Sequence, residues 1–219
     1  MAHIKCAILL LVMVVDEKEL IIIRLMHNLT FYLKWVTTHL IGFMGGHYLG
    51  ATGAGLIPAV FPGNTGLVIG DLIYGATIGF FQWLVLKNNK GLVISSWWFA
   101  LVGVGFMLGA RVGALLTYRI VSEWFLAGIV FGCFMGGSIG FATALGFRNT
   151  IPFFRLMVWV VISVLAWVAG ESIAFASNFS QTTVPWVALA IGGITGVGVI
   201  WMRSAFSERS VDISASVSE

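Results

Sequence analysis

The stretch GATIGFFQWLVLK (residues 75–87), followed by WFALVGVGFMLG (98–109), decides how this chain folds, because a degraded copy of it follows. The copy reads GGSIGFATALGFR (136–148) and then WVVISVLAWVAG (159–170). Sliding one over the other by 61 positions, the separation of Gly75 from Gly136, pairs Gly79 with Gly140, Lys87 with Arg148, Trp98 with Trp159 and Gly109 with Gly170. Both halves of the unit lie in apolar runs long enough for the ~20 residues that a bilayer-spanning helix needs. In lipid a helix satisfies its own backbone hydrogen bonds, which a lone strand cannot do. The repeated unit therefore reads as a helical hairpin in a membrane.

Composition agrees with that reading. The chain is 59% hydrophobic and 10% charged, with a mean hydropathy of +0.99, where soluble domains carry about 25% charged residues. The net charge of +3 does not mark a nucleic-acid binder, because Lys and Arg fall between apolar runs and form no basic stripe. Cys6 and Cys133 are the only cysteines, which excludes a disulfide framework, and no metal-ligand spacing is present. Cys133, inside an apolar run, reads as a small buried residue.

Working outward from the hairpins, the fold expected is all-α: an integral membrane bundle of six transmembrane helices arranged as three related helical hairpins. Apolar runs place the helices at about 33–52, 66–86, 93–116, 122–146, 153–176 and 184–203. Residues 1–30 read as an N-terminal extension outside the fold. The apolar run Ile8–Val15 is too short to span, and with Lys5 it loosely resembles a signal peptide without a cleavage site; alternatively Met26 is the natural start. The six-helix domain covers 31–203. Residues 204–219 alternate Ser with small apolar residues and read as a disordered cytoplasmic tail.

Alternate connections carry the basic residues. Arg24 and Lys34 precede the first helix, Lys87 and Lys90 follow the second, Arg148 and Arg155 the fourth, and Arg203 and Arg209 the sixth. The connections 53–65 and 177–183 have no Lys or Arg, so the positive-inside rule puts both termini in the cytoplasm. Arg111 and Arg119, near Glu123, are the exception and read as a local cluster. Pro58, Pro62, Gly63 and Asn64 make 53–65 a turn-rich loop. Asn178-Phe179-Ser180 matches a glycosylation sequon, relevant only in a eukaryotic secretory pathway.

Glycines recur every fourth residue: Gly42 and Gly46; Gly75 and Gly79; Gly105 and Gly109; Gly128, Gly132, Gly136 and Gly140; Gly192 and Gly196. Four residues apart on a helix is one face, and a flat glycine face lets two backbones approach in lipid. These are expected to be helix-packing positions, and Gln82, on the face of Gly75 and Gly79, is expected to bond a neighbouring helix, with Thr143 as its counterpart. Neither a dinucleotide fingerprint nor a P-loop is present.

Aligning Trp35, Trp98 and Trp159 brings Gly46-His47, Gly109-Ala110-Arg111 and Gly170-Glu171 to matching points of three helices. His47, Arg111 and Glu171 are thus expected to cluster at the outer end, with Asp71 able to join them. Ionisable residues at membrane depth mark a functional site or a self-neutralising pair, here Arg111 with Glu171, capped by His47. His39 and His47 are the only histidines in an expected span, so a bis-histidine haem lacks its second helix; no cofactor is expected, although a single pigment ligand or a lipid would fit such a surface. Trp35, Trp97 and Trp98, near cytoplasmic ends, read as an interfacial belt.

The pattern Gly75-x-x-x-Gly79-x-x-Gln82-Trp83-Leu84-Val85-Leu86-Lys87, with Trp97-Trp98 and Gly105-x-x-x-Gly109 after it, resembles a group of uncharacterised bacterial, often cyanobacterial, multi-span membrane proteins with repeated Gly-x-x-x-Gly-x-x-Gln-Trp-x-x-Leu-Arg hairpins. The resemblance covers roughly residues 33–203 and implies the topology, with a bacterial plasma membrane, or a thylakoid if the source is cyanobacterial, as the location. It implies no activity. Function is accordingly expected to be a structural, assembly or binding subunit of a membrane complex, with other membrane subunits or further copies of itself as partners. The rival is a small solute permease or the membrane-embedded substrate-binding component of a transporter. No catalytic constellation is present, so an enzyme is not expected.

Overall fold

The computed structural model describes residues 2–50, 55–61, 63–88, 94–147 and 151–216 and, within those ranges, the side chains from 21 to 204. Lys90, Arg148 and the side chains of Cys6 and Arg209 lie outside the described residues. Seven α-helices run in order: α1 (Ala2–Gly50), α2 (Leu56–Val60), α3 (Gly63–Leu86), α4 (Trp98–Ile120), α5 (Trp124–Phe147), α6 (Phe153–Ala176) and α7 (Val184–Ser216), with a 3-10 turn at Gln181–Thr183. Among the described residues, five segments are long and apolar enough to cross a membrane: Gly63–Leu86, Trp98–Ile120, Trp124–Phe147, Phe153–Ala176 and Gln181–Ser204. The sixth expected span, the second half of α1, is not among them. Lys34, Thr37, Thr38, His39 and His47 make it the least apolar helix of the bundle.

Helix boundaries fall close to the expected ones except at the chain ends and in one loop. α1 runs without a break from Ala2 through the expected N-terminal extension, since no Pro or Gly occurs before Gly42 to stop it. The expected disordered tail is likewise helical to Ser216, there being no Pro or Gly after Gly198. The loop 53–65 contains the short α2, and Gly63 opens α3 at φ +74, a left-handed conformation that a side chain would strain.

The six long helices form a closed ring. In chain order α1 packs on α3, α3 on α4, α4 on α5, α5 on α6 and α6 on α7, and α7 returns to α1. Glycines set this order. A Cβ on Gly42 would meet the Ile78 backbone of α3 at 2.9 Å, and Gly46 faces Tyr74 of the same helix. Gly75 and Gly79 face Phe106, Val102 and Phe99 of α4; Gly105 and Gly109 face Ile139 and Met135 of α5. Gly128, Gly132, Gly136 and Gly140 run along Ser172, Val168, Val164 and Ser163 of α6, while Gly192 and Gly196 face His39 and Trp35 of α1. Each helix thus turns its flat face to the next one round the ring, where backbone dispersion contacts replace the hydrophobic drive that lipid lacks.

The distribution of polarity is that of a protein in lipid. Phe80, Phe99, Leu108, Leu115, Phe141, Leu145, Val161, Leu165 and Val197 face outward, and His39, Asp71, Gln82, Thr143, Ser163, Glu171 and Thr195 are buried. In water the pattern would be reversed. Cys133 faces outward rather than inward, because the glycine face of α5, at Gly132 and Gly136, takes the inward positions on either side of it.

Candidate functional site

Side chains directed at the axis of the ring form three layers. In the innermost, three tryptophans from alternate helices donate across to the neighbouring helix. Trp98 Nε1 donates to Gln82 Oε1 at 3.0 Å, Trp159 Nε1 to Thr143 Oγ1 at 2.9 Å, and Trp35 Nε1 to Thr195 Oγ1 at 3.0 Å. Trp35 and Trp98 are fully buried and Trp159 nearly so, whereas Trp97 is 69% exposed. The expected belt is therefore correct in kind for Trp97 alone; Trp35 and Trp98 turn inward because the indole N–H finds an acceptor there.

Gln82 bonds side chains of both neighbouring helices, His39 of α1 and Trp98 of α4. Its amide nitrogen lies 2.9 Å from His39 Nε2, and His39 Nδ1 lies 3.1 Å from the Trp35 carbonyl. Trp98 Nε1 can only donate, which fixes the Gln82 oxygen on that side and the NH2 toward His39. His39 Nε2 must then accept, leaving Nδ1–H to donate to the Trp35 carbonyl. One neutral tautomer satisfies every member of the chain. Thr143 and Thr195 complete the layer by donating to the Ile139 and Ile191 carbonyls at 2.7 Å. Trp159→Phe is expected to cost only about 1 kcal/mol of hydrogen bonding, since Thr143 keeps its carbonyl partner. Thr143→Val should cost more by stranding the indole N–H, a difference that thermal unfolding in detergent reads.

These groups enclose a cavity of about 20 Å³, lined by His39, Gln82, Thr143, Ser163 and Thr195 among others. A single water needs roughly 10–15 Å³ by the same measure. This cavity has room for one water and none for a pigment.

The second layer is aromatic. Phe43 and Phe106 pack on Trp167 at centroid distances of 5.6 and 5.7 Å, and Tyr74 packs on Phe43 and Phe106 at 5.9 and 4.6 Å. One turn beyond it lies the third layer, which holds the residues expected to cluster. Arg111 pairs with Asp71 through a salt bridge and a 2.6 Å hydrogen bond from Nε. The expected Arg111–Glu171 pair is replaced because the Arg111 side chain, 34% exposed, turns to Asp71 of the adjacent α3, while Glu171 is buried on α6. Glu171 is 8% exposed and stands four residues, about one turn, beyond Trp167 on α6. His47 sits edge-on to Tyr74 at 6.3 Å, and its Nε2 is buried without a hydrogen-bond partner. All four residues thus lie at one end of the bundle: Asp71 is paired with Arg111, His47 lies against Tyr74, and Glu171 stands one turn beyond Trp167.

The residues missed in the sequence are His39, Trp35, Trp159 and Thr195 as members of one polar layer. The signal was available: Gln82 to Trp98 and Thr143 to Trp159 share a separation of 16 residues, the distance from one arm of a hairpin to the other. Among the described residues, no group of three or more His, Cys, Asp or Glu side chains is disposed to hold a metal ion.

Apolar outer faces, buried polar layers and five spanning-length helices define a multi-pass α-helical membrane protein. No protein-family model, no curated protein and no solved structure matches the chain.

Proposed function

We propose that the chain is a six-span bundle of three related hairpins that serves as a packing, assembly or binding subunit of a membrane complex. The observation that carries this reading is the filled axis, where interlocked indoles, amide and hydroxyls leave about 20 Å³ and no route for a solute. The three tryptophan bonds support the repeat. Its units are α3 with α4, α5 with α6, and α7 with the second half of α1, so the third unit is divided between the two ends of the chain and closes the ring. The glycine series acts as the zipper between neighbours. Support for a partner comes from α1, where Ile21, Ile22, Ile23, Leu25, Met26 and Leu29 are 53–64% exposed among the described residues.

Lys34, Lys87, Arg155 and Arg203 share one end of the bundle, which supports a cytoplasmic placement of both termini; a C-terminal tag accessible from outside intact cells would reverse it. The bacterial plasma membrane, or a thylakoid, remains the location that the resemblance implies. Two measurements test the role. Native membranes opened in mild detergent are expected to yield an assembly heavier than one 23.7 kDa chain in its micelle, and liposomes holding the purified chain are expected to accumulate no solute above empty liposomes. A monomer that catalyses uptake would establish the permease instead.

A further inference from the structure

We propose that the outer end of the bundle axis binds a small protonated amine, its ammonium group held between the Glu171 carboxylate and the His47 imidazole above the aromatic layer of Tyr74, Phe106 and Trp167. The placement follows from the helix repeat. Trp167 meets Phe43 and Phe106 at the axis, and Glu171, His47 and Ala110 stand four residues, about one turn, further along the same three helices. Two polar groups and one small residue therefore surround the axis immediately above the rings.

Neither polar group is satisfied within the described residues. Glu171 is 8% exposed and takes part in no hydrogen bond or ion pair there, and His47 Nε2 is a buried orphan. Arg111, at the same end of the bundle, is already paired with Asp71. A carboxylate at membrane depth needs a counter-charge, and the unpartnered His47 Nε2 needs a donor. An ammonium ion supplies both. The rings below favour the same ligand, since aromatic faces attract organic cations. A calcium or magnesium ion fits poorly, because hard cations take six or more oxygen ligands and the site offers one carboxylate.

Because His47 must accept an N–H, the class is a primary or secondary amine rather than a quaternary one. The test is thermal unfolding of the purified full chain in detergent, titrated at constant ionic strength with methylammonium, tetramethylammonium or sodium chloride. Methylammonium is expected to raise the melting temperature saturably, as a ligand of the folded state does; the other two are expected to leave it flat. Glu171→Gln, which keeps the side-chain shape, should abolish the shift, and His47→Phe should move its midpoint several-fold higher. A flat methylammonium titration of the unaltered protein overturns the proposal, as does an equal response to sodium or a shift that survives in Glu171→Gln. Should Glu171→Gln not fold, an unmoved midpoint in His47→Phe overturns it.

Discussion

Gly136→Ala is expected to lower the melting temperature of the detergent-solubilised protein by roughly 6–12 °C, while Gly137→Ala, one residue away, leaves it unchanged or slightly raised. A Cβ at position 136 would stand 2.5 Å from Val164 Cα, 2.6 Å from the Ser163 carbonyl oxygen and 2.8 Å from Val164 N. All three are backbone atoms of α6, which no rotamer change can move aside. Helices α5 and α6 would have to part, and parting them also loosens Gly132 and Gly140 against Val168 and Ser163. Overpacking of this kind costs about 3 kcal/mol at the upper end of its usual range, equivalent to the shift above for a chain of this length. At Gly137 a Cβ would meet nothing within 4 Å, so only the better helix propensity of alanine remains. Gly136→Leu is expected to yield no folded protein. Equal effects at 136 and 137 would mean that α5 and α6 do not meet along the glycine face.

Why the glycines could be read from the sequence, and the polar layers only in part, has a physical reason. A spacing of four fixes a face of a helix without reference to any other helix, so Gly128 to Gly140 announced a close contact from their positions alone. Five helix ranges were equally legible, because hydropathy in lipid is a one-dimensional signal and loops must be polar or turn-forming. Partner choice is different. Arg111 could have paired with Glu171 by repeat position, but the ring order brings Asp71 of the adjacent α3 beside Arg111 instead. Trp35 and Trp98 show the same limit. Tryptophan near a helix end is as good a belt residue as a core residue until an acceptor is placed opposite its N–H, and for Trp35 that acceptor is Thr195, 160 residues away.

Gln82→Leu is expected to destabilise the bundle by roughly 2–4 kcal/mol, because the change strands two buried groups at once. Trp98 Nε1–H loses its acceptor and His39 Nε2 its donor, in a layer where Gln82 is 7% exposed and both partners are more buried still. Interhelical hydrogen bonds in lipid average about 0.6 kcal/mol and reach about 2, so the larger part of the loss is the penalty for leaving polar atoms unpaired. Gln82→Thr separates the two contributions. It gives the first hairpin the residue that the second already uses, since Thr143 accepts from Trp159 across the same 16-residue separation, but threonine is too short to reach His39 as well. The stability order expected in thermal unfolding is therefore the unaltered protein, then Gln82→Thr, then Gln82→Leu. The first interval measures the bond to His39 and the second the bond from Trp98. If Gln82→Thr proved no better than Gln82→Leu, the two hairpins would not be interchangeable at this layer, and the descent of the Gln82 and Thr143 positions from one repeated unit would lose its support.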